Sequence, residues 1–392
     1  MKVMLITHVD DMAWAAKPGY EFMIEKILKL FDMRKIVEDE FRFCGREVVQ
    51  DAEGNITVTC KSTTESILPV NFRVEGRSPE DKALDHEVSQ LRSVTGSIAW
   101  ICRQCRPALS YLSSRMQSIA SAAQVKHLTE ANRVVLEAQA GADDGLFFKT
   151  KAFDWNTAIL ISIADASWAG ETKYVDDKIF PRRSQMGRVI VLAEPSLWTS
   201  DTGQFHAWSW KSTMIARVCR STFHAETKAN VKRTEEAQRL RAAYADVRGL
   251  LDRKNWEETA NNAMKHLWLT DCESVSSFLN NPAPNGVDDK RLLIDLEGQR
   301  QMLWEDAQGN PKDTLEEKQT DKIRWIDTST MLADPLTKAM KADRMVKAFM
   351  TGFLDLVPTD ASVMSKMMKQ KGRAKARGEE QVPEEPEEQT WQ

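Results

Sequence analysis

Residues 158–165, Ala158-Ile159-Leu160-Ile161-Ser162-Ile163-Ala164-Asp165, hold the longest apolar run of the chain and end on an acid. Broken only by Ser162, the run is far shorter than the roughly 20 residues of a membrane-spanning helix and reads as a buried strand. Outward from it, strands are expected at Arg188 to Ala193 and Gln204 to Trp210. A long helix follows from Thr222 to Val247, then a strand at Lys265 to Thr270 and helices at 273–280 and 292–304. A strand at Lys322 to Ile326 and a helix from Met331 to Met340 close the series. Three strands in succession, then alternating helices and strands, predict an α/β unit with a mixed sheet flanked by helices, beginning at Asp154.

Upstream the pattern changes. Val3 to Ile6 and Met12 to Ala16 read as a hairpin with Asp10 and Asp11 at its tip, and a helix follows from Tyr20 to Phe31. Strands are expected at Glu40 to Val49 and Ile56 to Lys61, and helices at 89–101, 108–118 and 129–140. From Lys366 the sequence carries six Lys or Arg residues, then six Glu residues with two Pro. Such a segment cannot bury enough apolar surface to offset its ordering entropy, so 366–392 is expected to be a disordered charged tail.

The 392 residues are 42% hydrophobic and 29% charged, which excludes wholesale disorder and is enough for two or three cores. Lys plus Arg number 54 against 58 Asp plus Glu, a net charge of -4. No global field draws such a chain onto a polyanion, so a nucleic-acid partner must be held by a local basic face. Six cysteines are too few for a disulfide framework of this length, and His8, Asp10 and Asp11 interrupt the apolar start before a signal peptide can form. An intracellular setting, cytoplasmic or nuclear, with no membrane partner, is the expectation.

Four acids of the second unit fall where strands or helices are expected to begin or end. Asp165 ends the first strand, Glu226 lies in the first turns of the long helix, Asp271 ends the fourth strand and Asp334 begins the last helix. Strand ends along one sheet edge converge, and that crevice is the usual ligand site of such sheets. Converging carboxylates repel unless cations bridge them, and hard oxygen ligands suit Mg²⁺ or Mn²⁺. Two such ions about 4 Å apart would clamp a scissile phosphate. Taken singly, each acid is equally a solvated strand end or a helix cap.

Six blocks in order change that balance: Ile163-Ala164-Asp165-Ala166-Ser167-Trp168-Ala169-Gly170, Arg182-Arg183-Ser184-Gln185-Met186-Gly187, Ser209-Trp210-Lys211-Ser212, Ala225-Glu226, Asp271-Cys272-Glu273-Ser274 and Leu332-Ala333-Asp334-Pro335-Leu336-Thr337-Lys338. Together they resemble the ribonuclease H domain of copia-type LTR retrotransposon polyproteins. The resemblance implies a ribonuclease H-like mixed sheet at 154–345, with the family's metal tetrad on Asp165, Glu226, Asp271 and Asp334. It implies hydrolysis of the RNA strand of RNA·DNA hybrids with two Mg²⁺ ions, Mn²⁺ being an alternative. His8-Val9-Asp10-Asp11, Phe41-Arg42-Phe43-Cys44-Gly45-Arg46-Glu47-Val48, Ser97-Ile98-Ala99-Trp100 with Arg106-Pro107-Ala108-Leu109-Ser110-Tyr111, and His127-Leu128 through Leu136 resemble the same polyprotein's reverse transcriptase. They imply a partial palm at 1–62 and a thumb or connection-like helical region at 63–150, an α+β part.

Only nine residues precede Asp10, whereas a polymerase needs a third carboxylate on an earlier strand, so Asp10 and Asp11 read as a polymerase remnant in a truncated enzyme. Around the glutamate, Ser221-Thr222-Phe223-His224-Ala225-Glu226-Thr227 departs from the family's STEAEY, and no histidine follows His266 to fill the product-release role known in some relatives. The other reading is therefore a catalytically inactive relic or nucleic-acid-binding module. Arg217, Arg220, Lys228, Lys232 and Arg233 on and before the long helix are candidates for a phosphate-tracking surface, against a merely solvated helix face. The implied partners are an RNA·DNA hybrid and other retroelement polyprotein products. Cys102 and Cys105 have half the spacing of a zinc site without a second pair, and Asp201-Thr202-Gly203 reads as a plain turn. Of Trp168, Trp208 and Trp210, at least two are expected in the core rather than stacked on nucleic acid.

Overall fold

The computed structural model describes residues 2–31, 36–120, 122–175, 178–284, 286–306, 308–315, 318–365 and 368, so the expected charged tail lies outside the described residues except Met368. Its centre is a six-stranded sheet. β7 (Ile159–Val175) is the strand read first from the sequence, and its side chains alternate between two cores. Ile159, Ile161 and Ile163 enter one, while Leu160 enters the other. β8 (Lys178–Ala193) and β9 (Thr202–Met214) follow antiparallel, with β12 (Phe353–Asp355) added antiparallel at the β9 edge. On the other side β10 (His266–Thr270) and β11 (Asp321–Trp325) run parallel to β7, giving the order β11-β10-β7-β8-β9-β12. The chain is thus a mixed α/β protein, and its sheet extends past residue 345 by one strand.

Helices cover both faces. α6 (Thr222–Val247) packs Ala237 and Tyr244 on Leu160, Ile190 and Leu192, with α7 (Trp256–Ala263) beside it. α8 (Glu273–Asn280) and α9 (Lys290–Trp304) close a smaller core around Trp268 and Ile323. The opposite face carries α3 (Asp85–Gln104), α4 (Ser110–Ile119) and α5 (Val125–Ala140), together with α10 (Asp343–Thr351). Leu91, Ile98, Leu128 and Val135 of this helical layer share one apolar core with Ile161, Val189, Leu269 and Leu336 of the sheet unit. Each fully buried Leu or Ile of that interface contributes about 1.5–3 kcal/mol of transfer free energy.

Three further pieces lie upstream. β1 (Val3–His8) and β2 (Asp11–Ala16) form the expected hairpin as a separate two-stranded sheet, next to α1 (Glu21–Leu28). Asp10 and Asp11 sit at its tip, where Val9 takes a left-handed φ of 55°. A four-stranded sheet contains β3 (Glu40–Phe43), β4 (Arg46–Gln50), β5 (Ile56–Thr59) and β6 (Leu146–Phe148), and it draws strands from both sides of the expected boundary at 62/63. α2 (Lys61–Glu65) follows β5.

Two expected elements are corrected. The single strand over Glu40 to Val49 is a hairpin, because Cys44 and Gly45 both take positive φ, 50° and 76°, as a two-residue hairpin turn requires. The expected helix from Met331 to Met340 is instead a pair of short 3₁₀ turns, Thr328–Thr330 and Asp334–Leu336. Pro335 suits the start of a helical turn. The carbonyl of Leu336, which a continuing helix would use, accepts the Ser212 hydroxyl at 2.6 Å instead. Among the described residues no helix is long and apolar enough to cross a membrane.

Candidate metal centre

Asp165 is not at the end of its strand, as expected, because β7 runs on to Val175 in the long hairpin with β8. It lies just past Ile163, the last residue of β7 paired with β10. Beyond that point the β10 side of the strand is open, and β10 itself stops one residue before Asp271. Asp334 reaches the same place on the first 3₁₀ residue after Ala333. One carboxylate oxygen from each of Asp165, Asp271 and Asp334 lies within 4.8 Å of the others.

Gly187 makes this approach possible. It is paired with Asp165 across the β7–β8 ladder, and a Cβ there would stand 2.5 Å from the Leu336 Cβ and 2.9 Å from the Ala333 carbonyl oxygen. Only the missing side chain lets the segment carrying Asp334 lie against β8. Thr337 then donates its hydroxyl to Asp165 Oδ2 at 2.6 Å, and Lys338 Nζ pairs with Asp334 Oδ1 at 2.7 Å. Trp325 Nε1 donates to the backbone oxygen of Asp271 at 2.9 Å, fixing the chain as it leaves the sheet.

Glu226 comes from the opposite face, one turn into α6, whose N-cap Ser221 accepts from the backbone of His224 at 3.1 Å. Its Oε1 accepts the backbone N–H of Ala166 at 3.1 Å. Among the described residues its buried Oε2 meets no donor beyond the neighbouring Asp165 carboxyl. A buried carboxylate oxygen left this way costs free energy, and a cation shared with Asp165 would satisfy it.

The electrostatics follow from that crowding. Burial first, then the charges of Asp334 and Asp271, push Asp165 up to about 7. Burial, then Asp165 and Asp271, push Glu226 well above the ordinary carboxylate range. Asp271 is raised chiefly by burial. Four carboxylic groups, three of them held away from their charged form, suit a hard divalent cation by donor type and by the buried Glu226 Oε2 turned toward Asp165.

The five basic candidates are not brought together in one exposed row. Arg217 and Arg220 are exposed, Arg220 within 3.5 Å of Asp289. Lys228 pairs with Asp295 of α9, and Lys232 with Glu235 at 2.8 Å. Arg233 is a correction. It is fully buried, 5.1 Å over the ring of Trp268, and donates to the Leu269 carbonyl at 3.1 Å, so it cannot meet a phosphate. It faces inward because it lies seven residues, two helical turns, after Glu226 on the face of α6 turned to the sheet.

Trp168 is half-exposed with its Nε1 on the Cys219 carbonyl, whereas Trp208 and Trp210 pack against the two cores. Asp11 begins β2 of the separate two-stranded sheet and Asp10 lies in the turn before it. In the sequence Thr337 and Gly187 stand only inside longer blocks, and their roles depend on contacts with distant segments, Thr337 with Asp165 172 residues away and Gly187 with Leu336.

No protein-family model matches the chain, and no curated protein does. Among solved structures, the N-terminal RNase H domain of rv2228c from Mycobacterium tuberculosis, determined as a fusion with maltose-binding protein, matches 54% of this chain over 99% of its own, at 14% identity and a TM-score of 0.26. RNase H1 from the halophilic archaeon Halobacterium salinarum matches 45% of this chain over 93% of its own, at 15% identity and a TM-score of 0.26. At that level of similarity the case for a function rests on the carboxylates.

Proposed function

We propose that the chain is a ribonuclease H-type endonuclease derived from a copia-type retroelement, which hydrolyses the RNA strand of RNA·DNA hybrids, and that its polymerase part is a remnant. The observation that carries this reading is the meeting of Asp165, Asp271 and Asp334 around one point, with Oε2 of Glu226 buried beside Asp165. Nothing in the packing of a plain α/β core calls for four acids there.

Asp165, Glu226, Asp271 and Asp334 are the residues that would hold two Mg²⁺ or Mn²⁺ ions. Bound ions would activate water and neutralise the scissile phosphate and its leaving oxygen. The chain's own groups do the rest. Thr337 fixes the rotation of the Asp165 carboxylate, and the Ala166 N–H fixes Glu226 with Oε2 turned inward. Lys338 offsets the charge of Asp334. Exposed Arg217 and Arg220, with Trp168 nearby through Cys219, offer the phosphate contacts and the aromatic face that a hybrid requires.

The test is a labelled RNA·DNA hybrid incubated with the purified chain and Mg²⁺, beside Asp271→Asn and an EDTA control. Cleavage by the wild type and loss in the other two is the expected outcome. A wild type that binds the hybrid without cutting it would favour the binding module, and one that does neither would leave the relic.

A further inference from the structure

Cys60 and Cys105 are 45 residues apart in sequence, yet their sulfurs lie 2.9 Å apart inside the shared core. Both side chains are fully buried. Cys60 stands at the junction of β5 and α2, and Cys105 closes α3. A disulfide has its sulfurs about 2.05 Å apart, so less than 1 Å separates this contact from bonding distance. Cys102, one turn earlier on α3, is engaged by Ser113 instead.

We propose that Cys60 and Cys105 are a modification site, joined as an intramolecular disulfide by exchange with a low-molecular-weight disulfide of the glutathione class. In the first exchange one protein thiolate attacks the small disulfide, forming a mixed disulfide and releasing one small thiol. In the second the other protein thiolate attacks the mixed disulfide, closing Cys60–Cys105 and releasing the second small thiol. Two protein thiols lose two protons and two electrons, and one small disulfide is reduced to two thiols.

The contact with Cys60, and then burial, raise the Cys105 thiol above its ordinary range, so the closed fold holds little thiolate. Exchange therefore runs during folding or local opening, and the finished bond is shielded from reductants. The bond would fasten the four-stranded sheet to α3 where the two already press together. A Cβ on Gly45 would stand 2.9 Å from the Trp100 ring, and the Cys102 carbonyl accepts Trp210 Nε1 of the central sheet at 2.7 Å. This inference stands apart from the nuclease reading.

The experiment is to refold the full chain in a graded series of oxidised and reduced glutathione, trap free thiols by alkylation, and map peptides without reduction. Expected are one internal cross-link, Cys60–Cys105, two fewer free thiols than the six of the reduced chain, and a melting temperature that drops when dithiothreitol is added. Cys102→Ala keeps the cross-link, the loss of two thiols relative to its own reduced form and the melting shift, and Cys60→Ala and Cys105→Ala lose all of these. Should either of these two variants fail to fold, the wild-type map decides the pairing. Six free thiols across the whole series, a cross-link through Cys102, or a link between chains overturns the proposal.

Discussion

Thr337 has one hydroxyl hydrogen and two acceptors in reach, Asp165 Oδ2 at 2.6 Å and the Asp334 carbonyl at 3.0 Å. The shorter contact takes it. Thr337→Val keeps the shape of the side chain and removes that donor. Expected is a fall of about 10–100-fold in hybrid cleavage, the usual cost of losing a group that orients a metal ligand, with the urea midpoint little changed. Cleavage at the wild-type rate would show that Asp165 needs no such support. Thr337 stood in the sequence as part of Ala-Asp-Pro-Leu-Thr-Lys, but its partner is 172 residues away. Spacing along a chain carries no trace of such a contact.

At the scale of elements, α6 carries both a proposed ligand, Glu226, and the buried Arg233. Arg220, just before the helix, is exposed, so the two arginines should behave oppositely. Arg220→Ala is expected to lower the salt dependence of hybrid binding by about one phosphate's worth, a slope change near 0.9, and to leave stability alone. Arg233→Ala is expected to cost about 2–5 kcal/mol in urea unfolding through lost packing and to leave the slope of the folded fraction unchanged. The opposite pattern would return Arg233 to the surface. Most strands and helices were legible because their apolar period is set locally. Cys44-Gly45 split one expected strand because Cys44 gives no turn signal, and the last helix dissolved because Ser212, from another strand, captures its carbonyl. Arg233 was misplaced for a related reason. A helix buried along one face by a sheet and along its flank by α8 and α9 has few positions left for solvent.

Across the whole molecule, the buried imidazoles share a sign. Burial lowers His127, His206, His224 and His266, the last to about 4, where its Nδ1 accepts Trp268 Nε1 at 2.7 Å and Nε2 meets Ser162 at 2.7 Å. The unfolded chain takes up these protons near its ordinary value of about 6.5, before the folded chain does. Stability is therefore lost as pH falls from about 6.5 toward 4. The raised carboxyls of the cluster act the other way, since the folded chain protonates them first and gains from acid. Bound Mg²⁺ would remove that compensation. Expected in thermal melts is a larger Mg²⁺-dependent rise at pH 7 than at pH 5, and a steeper acid loss with Mg²⁺ present than without. Asp271→Asn should blunt both, and equal Mg²⁺ increments at the two pH values would count against a shared site.

The core common to Leu91, Ile98 and Leu128 of the helical layer and Ile161, Val189 and Leu336 of the sheet bears on how this gene could be cut. A fragment trimmed to 154–345 would keep every proposed ligand and lose most of the helical cover over one side of its sheet, along with β12. Limited proteolysis should accordingly yield no soluble piece with those ends. Separating the helices from the carboxylates is expected to leave an aggregating strand layer rather than a freestanding domain, so the helical segment serves the solubility of the sheet that carries the carboxylates.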